Sequence, residues 1–329
     1  MGSASARLAG LGLAAVLAAG LTGAASAADA PVPWRHGVLA LKSDAGFVTM
    51  ITQHDFAKKH GLDLKLEPLK NENLALRALV AGQLDSYEGS PPFQADARGL
   101  NLKVLGCYWI KVPMSLFVSK GIDSVKGLEG KTIATSAPGS LPSLLAQEAL
   151  AHFHVPAAKV KLAAVGGDAD RYRALVGGIV QGAEVSAEYT PFETRDKVKN
   201  LLPMRDILPN YMRYCYITTA KNVAEHPKEL ANFLAAEMEA LKYALSHRKE
   251  TIALTRSETG AKPDDPRAAF IYDDVVKSHS IDPTLDPAPQ KIQSMEDILL
   301  KAGILKQKVD VKAMVAPGPR QAALAEAGH

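Results

Sequence analysis

A pattern that recurs after one hundred positions limits what this chain can fold into more than any other feature of its sequence. The segments VAGQLDSYEGSPPF, from Val80, and VQGAEVSAEYTPF, from Val180, align without a gap. In each, a glycine follows a helix pattern, a short strand pattern comes next, and Ser or Thr before Pro is typical of a helix start. Chance similarity between two common connections is the alternative. We favour duplication, which predicts two similar α/β lobes.

Strand and helix patterns alternate along most of the chain. The apolar run at 37–42 predicts a strand, residues 47–60 predict a helix, and the same order recurs as far as residue 182. Such alternation predicts doubly wound lobes, each a parallel sheet with helices on its faces. Strand patterns near 106–119 and 213–221 would carry the chain between the lobes and form the hinge of a shared cleft.

Residues 131–150, KTIATSAPGSLPSLLAQEAL, predict a strand, a polar loop and a helix. The backbone N–H groups of such a loop and of the first helical turn lack partners within the helix, so they can hold a ligand. Ser136 and Ser140 add hydroxyls, and Gly139 lets a small molecule approach the backbone. An ordinary connection with a helix N-cap is the alternative interpretation.

Glu88 and Glu188 occupy matching positions of the repeated pattern, just before helices that would open into the cleft. A carboxylate there accepts hydrogen bonds or pairs with a cation, which favours a ligand with amino or other donor groups over a simple anion. Complementing a helix N-terminus is the alternative role for both glutamates, and Asp44 has the same ambiguity. Aromatic side chains could stack on a flat ligand, with ordinary core packing as the alternative. The candidate binding residues are therefore Asp44, Phe47, Glu88, Ser90, Trp109, Ser136, Gly139, Ser140, Glu188 and Tyr189.

The N-terminal residues differ in composition from the rest of the chain. Residues 8–21 are an Ala/Leu/Gly run too short to span a bilayer, and residues 25–27, Ala-Ser-Ala, have the pattern of a signal-peptide cleavage site. We therefore expect a signal peptide at 1–27, cleaved near Ala27, with a membrane anchor as the alternative. No cysteine follows the run for lipid attachment, so we expect the mature protein to be soluble outside the cytoplasm.

The composition of the whole chain excludes several classes of protein. With 329 residues, 47% of them hydrophobic, the chain can bury the cores of two domains. Its formal net charge of +3 is scattered along the sequence, so no nucleic-acid partner is predicted.

The two cysteines, Cys107 and Cys215, lie in β-prone, aromatic-rich stretches at or near the expected hinge. Export would allow a disulfide to form and persist, and neighbouring strands would permit it. Two small buried thiols are the alternative, since the sequence does not show whether the Cα atoms come close enough.

The sequence contains no recognisable catalytic or metal-binding motif. GLEGKT, which ends at Thr132, imitates a phosphate-binding loop, but Val125 replaces the first glycine and the strand follows the motif instead of preceding it. The nine histidines show no metal-ligand spacing, and neither cysteine precedes a helix that would activate a thiolate. We therefore expect no catalytic residue, no metal site and no cofactor.

Several motifs together resemble the substrate-binding proteins of ABC importers. In chain order they are GLDLKLEP, ALVAGQLDSYEGSPP, GLEGKTIATSAPGS, GIVQGAEVSA, YCYITTAKNVAEHPKELANFLAA and KIQSMEDILLKAGIL. The resemblance covers about residues 36–312 and is greatest to the cluster that includes binders of aliphatic sulfonates, taurine, nitrate and thiamine pyrimidine precursors. It implies a type II periplasmic-binding-protein fold, an α/β fold of two lobes whose cleft closes on a ligand.

This resemblance implies a discontinuous first lobe. We expect lobe I at 34–112 and 214–312, lobe II at 113–213, and a mobile tail at 313–329. The chain would cross from lobe I to lobe II and return, so that both crossings contribute to the hinge.

The expected function is that of the periplasmic solute-binding component of an ABC importer, a monomer that captures a small polar organic molecule and delivers it to a membrane permease. The alternative is a secreted enzyme on the same fold that acts on a small pyrimidine or sulfonate-like substrate. Related pyrimidine synthases are intracellular and carry a cysteine-rich motif without a counterpart here, and fold relatives that cleave sulfinates use a catalytic cysteine. Both differences favour binding without catalysis. The ligand, and a sensing role instead of transport, stay open.

Overall fold

The structure is a computed structural model that describes residues 1–2 and 30–326. The predicted signal peptide lies, apart from its first two residues, outside the described residues. Within 30–326, ten strands form two five-stranded sheets, which confirms the α/β class and the two-lobed build. We refer to each sheet with its helices as lobe I or lobe II.

The sheet of lobe I combines four early strands with one late strand. Its members are β1 (Val32–Leu39), β2 (Leu62–Leu69), β3 (Ser86–Gly89), β4 (Leu102–Trp109) and β10 (Tyr214–Thr219), in the order β2-β1-β3-β10-β4. β1 pairs parallel with β2 and β3, whereas β10 runs antiparallel to β3 and β4. The prediction of a fully parallel sheet is wrong for this strand. β10 begins beside the residue at which β4 ends, so it runs in the opposite direction.

The sheet of lobe II repeats this arrangement. Its strands are β5 (Met114–Ser119), β6 (Thr132–Thr135), β7 (Lys161–Ala164), β8 (Gly182–Ser186) and β9 (Val198–Pro203), in the order β7-β6-β8-β5-β9. β8 pairs parallel with β6 and antiparallel with β5. β3 and β8, which carry the repeated pattern, therefore occupy equivalent third positions in their sheets.

Helices cover both sheets. The α-helices of the described chain are α1 (Ala45–Thr49), α2 (Phe56–Lys59), α3 (Glu72–Val80), α4 (Phe93–Asp96), α5 (Leu141–His152), α6 (Asp168–Val176), α7 (Glu193–Asp196), α8 (Ala220–Glu225), α9 (Pro227–Ser246), α10 (Arg248–Thr259), α11 (Arg267–Ser278), α12 (Pro289–Lys301), α13 (Val311–Met314) and α14 (Pro317–Glu326). Short 3₁₀ helices lie at Met50–Thr52, Val125–Leu128, Ala157–Lys159, Ala187–Phe192 and Met204–Asp206.

Two helix predictions differ from the structure. The predicted helix at 47–60 is broken into pieces, because His54 and Asp55 adopt left-handed backbone angles with φ of 52° and 58°. The helix expected from Ser90 begins only at Phe93, because Pro92, its N-cap, has a non-helical ψ of 48°. The start of this helix was thus predicted a few residues too early.

The segment predicted as a mobile tail is helical and packed as far as Glu326. After α13, Ala316 donates a backbone hydrogen bond of 2.9 Å to Val104 of β4, and α14 packs against α9. Ala323 on α14 is completely buried. Small side chains let this last helix approach α9 closely, so the C-terminal segment is part of lobe I.

A disulfide lies next to both crossings between the lobes. Cys107 of β4 and Cys215 of β10 are directly opposite each other and are joined, with a sequence separation of 108. Closing a loop of that length stabilises a folded chain by roughly 4 to 5 kcal/mol in the chain-entropy account. The bond holds the strand that leaves lobe I to the strand that returns.

One acidic side chain is buried in the sheet of lobe II. Glu184 of β8 is completely buried, and neither carboxyl oxygen has a hydrogen-bond partner among the described residues. Burial raises the pKa of Glu184 to about 8, against the opposing charge of Arg171. Because the pKa is higher in the folded chain than in the unfolded chain, the folded state favours the protonated form.

This burial predicts a pH-dependent stability. The contribution of protonated Glu184 is complete below the unfolded pKa of about 4.3 and is lost as the pH rises to about 8. Glu184→Gln should therefore raise the free energy of unfolding by roughly 2 to 4 kcal/mol at pH 8, and by about 1 kcal/mol or less at pH 5. Urea unfolding at both pH values measures this, with the exposed Glu258→Gln as control. An equal effect at both pH values would contradict the assignment.

Candidate functional site

A cavity of about 180 Å³ lies between the two lobes, where β1, β3 and β8 end and α3, α5 and α6 begin. Both crossings also reach it. We call it the central cavity, and its lining residues are Leu39, Lys42, Ser43, Asp44, Glu72, Ser90, Trp109, Pro113, Met114, Leu141, Asp168, Ser186, Glu188, Arg213, Tyr214 and Ile271. Strand ends at a topological switch point are the usual place for a ligand in such folds.

Arg213 is the most buried cation of the central cavity. Its guanidinium donates to the Asp44 carboxylate and stacks on the rings of Trp109 and Tyr214, with its central carbon 4.6 Å and 4.2 Å from the ring centroids. Burial opposes the charge of Arg213, but the Asp44 carboxylate together with the Tyr214 and Tyr108 hydroxyls outweighs it and raises the pKa. The positive charge is therefore permanent and already neutralised.

Lys42 is the second cation, and it joins the two lobes. It follows β1, and its Nζ lies 2.6 Å from Oδ2 of Asp168, the first residue of α6. Asp168 also accepts a hydrogen bond from the buried guanidinium of Arg171. Both cations of the central cavity thus have carboxylate partners from within the chain.

Two carboxylates of the central cavity have no cationic partner. The Glu188 side chain is 6% exposed and makes no hydrogen bond or ion pair with residues 30–326; the nearby Arg267 pairs with Asp265 instead. Burial raises the pKa of Glu72 to about 7, opposed by the backbone N–H of Ser90. The cavity therefore has an excess of carboxylate.

Gly89 makes room for the Glu72 carboxylate. A Cβ at position 89 would lie 2.6 Å from Oε1 of Glu72 and 2.8 Å from the Tyr87 ring. This is shorter than any tolerable contact, so a side chain here would displace the carboxylate from the edge of the cavity.

Glu88 lies behind the central cavity and does not line it. One carboxyl oxygen accepts a 3.0 Å hydrogen bond from the Leu39 backbone, and the other accepts from the Tyr108 hydroxyl. Burial raises the pKa of Glu88 to about 7, despite these hydrogen bonds and the charge of Arg213. Its place is structural: it holds the end of β1 against β4.

The structure brings only part of the predicted residue set to the central cavity. Asp44, Ser90, Trp109 and Glu188 line it. Phe47 is instead packed in the core, 5.5 Å from the Tyr272 ring centroid and 6.2 Å from that of Trp109. Tyr189 is stacked on Tyr172 at 4.1 Å, within the core of lobe II.

The predicted loop at 136–140 faces a neighbouring cavity. Ser136 donates a 2.8 Å hydrogen bond to the Ser140 hydroxyl, so it supports the loop. Gly139 and Ser140 line a cavity of about 470 Å³ that we call the apolar chamber, together with Asn71, Glu72, Asn73, Leu76, Tyr87, Ser90, Pro91, Pro92, Phe93, Gln94, Ala95, Leu141, Leu144, Tyr211, Leu299 and Ile304. The loop does lie across from Ser90 and Pro91, as the repeated pattern suggested.

A third cavity of about 460 Å³ borders the central cavity on its other side. We call it the polar chamber, and it is lined by Leu41, Lys42, Ser43, Glu188, Thr255, Thr259, Gly260, Ala261, Lys262, Asp265, Arg267 and Ala268. Most of these side chains are polar or charged. The cleft therefore changes from charged at one end to apolar at the other.

Sequence reasoning missed four charged residues of the central cavity: Lys42, Glu72, Asp168 and Arg213. Two signals were available. Glu72 follows Asn71, whose side chain caps α3, and Asp168 opens α6 after two glycines. Lys42 and Arg213 gave no local signal, because their partners lie 126 and 169 positions away in the sequence.

No group of three His, Cys, Asp or Glu side chains suited to a metal ion is found among the described residues. In the same part of the chain, no helix is long and apolar enough to cross a membrane.

Comparison with known proteins identifies the family. The family described as NMT1/THI5 like matches residues 45–251. The chain belongs to this NMT1/THI5-like family. None of the curated proteins compared with the chain matches it. The matched NMT1/THI5-like region runs from α1 into α10 and includes both crossings.

Solved structures similar to this NMT1/THI5-like chain include two binding proteins. The periplasmic aliphatic sulphonate binding protein SsuA from Escherichia coli has a TM-score of 0.73 at 20% identity, over 88% of this chain and 93% of that one. The alkanesulfonate-binding protein SsuA from Xanthomonas axonopodis pv. citri, bound to MOPS, has a TM-score of 0.68 at 17% identity, over 88% and 100%.

An enzyme has a similar fold. The desulfurization enzyme DSZB has a TM-score of 0.62 at 13% identity, over 90% of this chain and 99% of that one. At such identities the likeness concerns the fold alone, and it confirms the two-lobed periplasmic-binding-protein fold.

The ion pair of Arg213 predicts a large effect of one substitution. Asp44→Asn would leave a buried guanidinium without its carboxylate, which typically destabilises a protein by about 3 to 5 kcal/mol. Partial exposure to the cavity lowers the expected loss to roughly 2 to 4 kcal/mol. Asp273→Asn is the matched control, because its pair with Arg248 is half exposed and should matter by less than about 1 kcal/mol. Equal losses in chemical unfolding would show that the Arg213 pair is not a buried one.

Proposed function

We propose that this chain is the solute-binding component of an ABC importer and that it captures a small polar organic molecule in the central cavity. The observation that supports the proposal most is a polar cavity between two lobes joined at the two crossings. Such a build allows closure on a ligand by hinge motion. Family membership and the fold shared with two sulfonate-binding proteins agree with it.

The charges of the central cavity favour a ligand that carries a protonated amine or a similar donor group. Lys42 and Arg213 are both paired, whereas Glu72 and Glu188 lack cations. A sulfonate would have to compete with Asp44 and Asp168 for the two cations and would lie near unpaired carboxylates. An ammonium or amidinium group would complete the pairing instead.

Binding without chemical conversion is part of the proposal. Both cysteines of the chain form the disulfide, so no thiol is available as a nucleophile. The competing proposal is a secreted enzyme that acts on a pyrimidine or sulfonate-like substrate. Among the described residues, the lining of the central cavity contains no cysteine or histidine that would support it.

The setting of the protein completes the proposal. The signal peptide at 1–27 would direct the chain to the periplasm, where lobe I (34–112 and 214–312, with α14 packed on it) and lobe II (113–213) would fold around the cleft. The loaded protein, a monomer, would deliver its ligand to a membrane permease. A periplasmic location suits a structural disulfide.

The charge assignment predicts an order of affinity. n-Propylammonium should bind the mature protein measurably in calorimetric titration, whereas propanesulfonate should bind at least about tenfold more weakly. Glu188→Gln should weaken propylammonium binding by at least about tenfold, since it removes the negative charge without changing the shape. Mass spectrometry of the recovered amine should show no conversion.

Glu258→Gln on the exposed face of α10 is the matched control, and it should bind as the unaltered protein does. Tighter binding of the sulfonate, or an unchanged affinity in Glu188→Gln, would refute the charge assignment. Conversion of the bound molecule would refute the binding-only function.

A further inference from the structure

The apolar chamber begins where the central cavity ends. Glu72, Ser90 and Leu141 line both spaces, so the two are in contact across these three side chains. One molecule can therefore reach from the central cavity into the apolar chamber. The two spaces differ in charge: six charged side chains line the central cavity, whereas Glu72 is the only charged side chain that the described residues contribute to the apolar chamber.

Buried apolar side chains form part of the walls of the apolar chamber, and the exposed side chains of Asn71, Asn73 and Gln94 also line it. Tyr87, Phe93 and Leu144 are buried and belong to the same core cluster, so they cannot easily turn away. Leu76 and Leu299 complete the walls from α3 and α12 and are only partly buried. Each Å² of apolar ligand surface that is buried against these walls contributes about 25 cal/mol to the free energy of binding.

The size of the central cavity is the second argument. Its volume of about 180 Å³ is below the range of roughly 300 to 1,000 Å³ that is usual for small-molecule sites. Adding the apolar chamber, at about 470 Å³, brings the combined space into that range. The polar chamber has a similar volume, but its charged and hydroxyl side chains remain best solvated by water.

A polar group marks the boundary between the two spaces. Glu72, Tyr87 and Tyr211 all line the apolar chamber, and burial, with the charge of Glu72 after it, raises the pKa of both tyrosine hydroxyls. Neither hydroxyl makes a hydrogen bond to any side chain or backbone group of residues 30–326. A ligand that crosses the boundary would meet a carboxylate and two phenols there.

We propose that the apolar chamber is a second subsite, which binds the aromatic or aliphatic body of the same ligand whose cationic end lies in the central cavity. The ligand class is then an amphipathic amine, such as an arylalkylammonium ion, and not a small ammonium ion alone. This inference rests on the function proposed above. It adds that affinity comes largely from apolar contact in the chamber.

Two amines that differ only in the apolar body test this inference. 3-Phenylpropylammonium should bind the mature protein at least about tenfold more tightly than n-propylammonium in calorimetric titration. Leu299→Trp would fill the chamber, so it should abolish this preference and leave n-propylammonium binding unchanged. Leu76→Trp would fill the same space from the opposite wall and should have the same effect, so it provides the test if Leu299→Trp folds poorly. Ile179→Trp, at a site 77% exposed on lobe II, is the control.

The outcomes separate this inference from the proposed function. If both amines bind equally, or if the preference survives in both tryptophan variants, the apolar chamber is not a subsite although the cationic site stands. If neither amine binds, the proposed cationic ligand fails, and the second subsite fails with it. Thermal melting of each variant establishes that the fold is intact before affinities are compared.

Discussion

The buried pair of Arg213 and Asp44 determines what the cleft can hold. Arg213 directly precedes β10, so its position is fixed by the strand that returns from lobe II to lobe I. Taken alone, such a guanidinium between two aromatic rings would be a natural anion site. Because Asp44 already neutralises it, the electrostatic demand of the cavity shifts to Glu188 and to Glu72, which is about half protonated near neutral pH.

Two buried acids of lobe I do not line the cavity. Glu88 and Glu237 are completely or almost completely buried in lobe I, and burial raises their pKa values to about 7 and about 8. Tyr108 donates to Glu88, and Tyr216 bonds to Glu237. Near neutral pH Glu237 is therefore mostly protonated and Glu88 about half protonated. Glu88 connects β3 to β1 and β4, and Glu237 connects α9 to β10. Neither lines the cavity, so the charge near the ligand comes mainly from side chains that line it.

The repeated pattern allowed much of the fold to be predicted, because glycine and proline signals are local. It located β3 and β8. Glu188 lies two residues after β8, in the 3₁₀ helix Ala187–Phe192, and lines the cavity. Glu88, at the matching position, lies inside β3 and accepts from Tyr108 instead. The difference arises because β3 continues to Gly89, past the matching position, whereas β8 ends at Ser186.

The ion pairs could not be predicted, because their partners lie far apart in the sequence. Lys42 meets Asp168 only because α6 of lobe II opens opposite the end of β1, and Arg213 meets Asp44 only after both crossings are made. Composition alone, with a net charge of +3, suggested nothing about the sign of the cavity. The excess of carboxylate in the cavity depends on which charged side chains form ion pairs in the folded chain.

Identifying the small molecule that the protein carries from its own cells tests this account most directly. The protein would be purified from these cells without exchange into competing amines and then denatured, and the released molecule would be analysed by mass spectrometry in both ion modes. The account predicts a molecule that contains a protonated nitrogen and an apolar body, bound in a one-to-one ratio. A sulfonate, nitrate or another anion without such a nitrogen would contradict it.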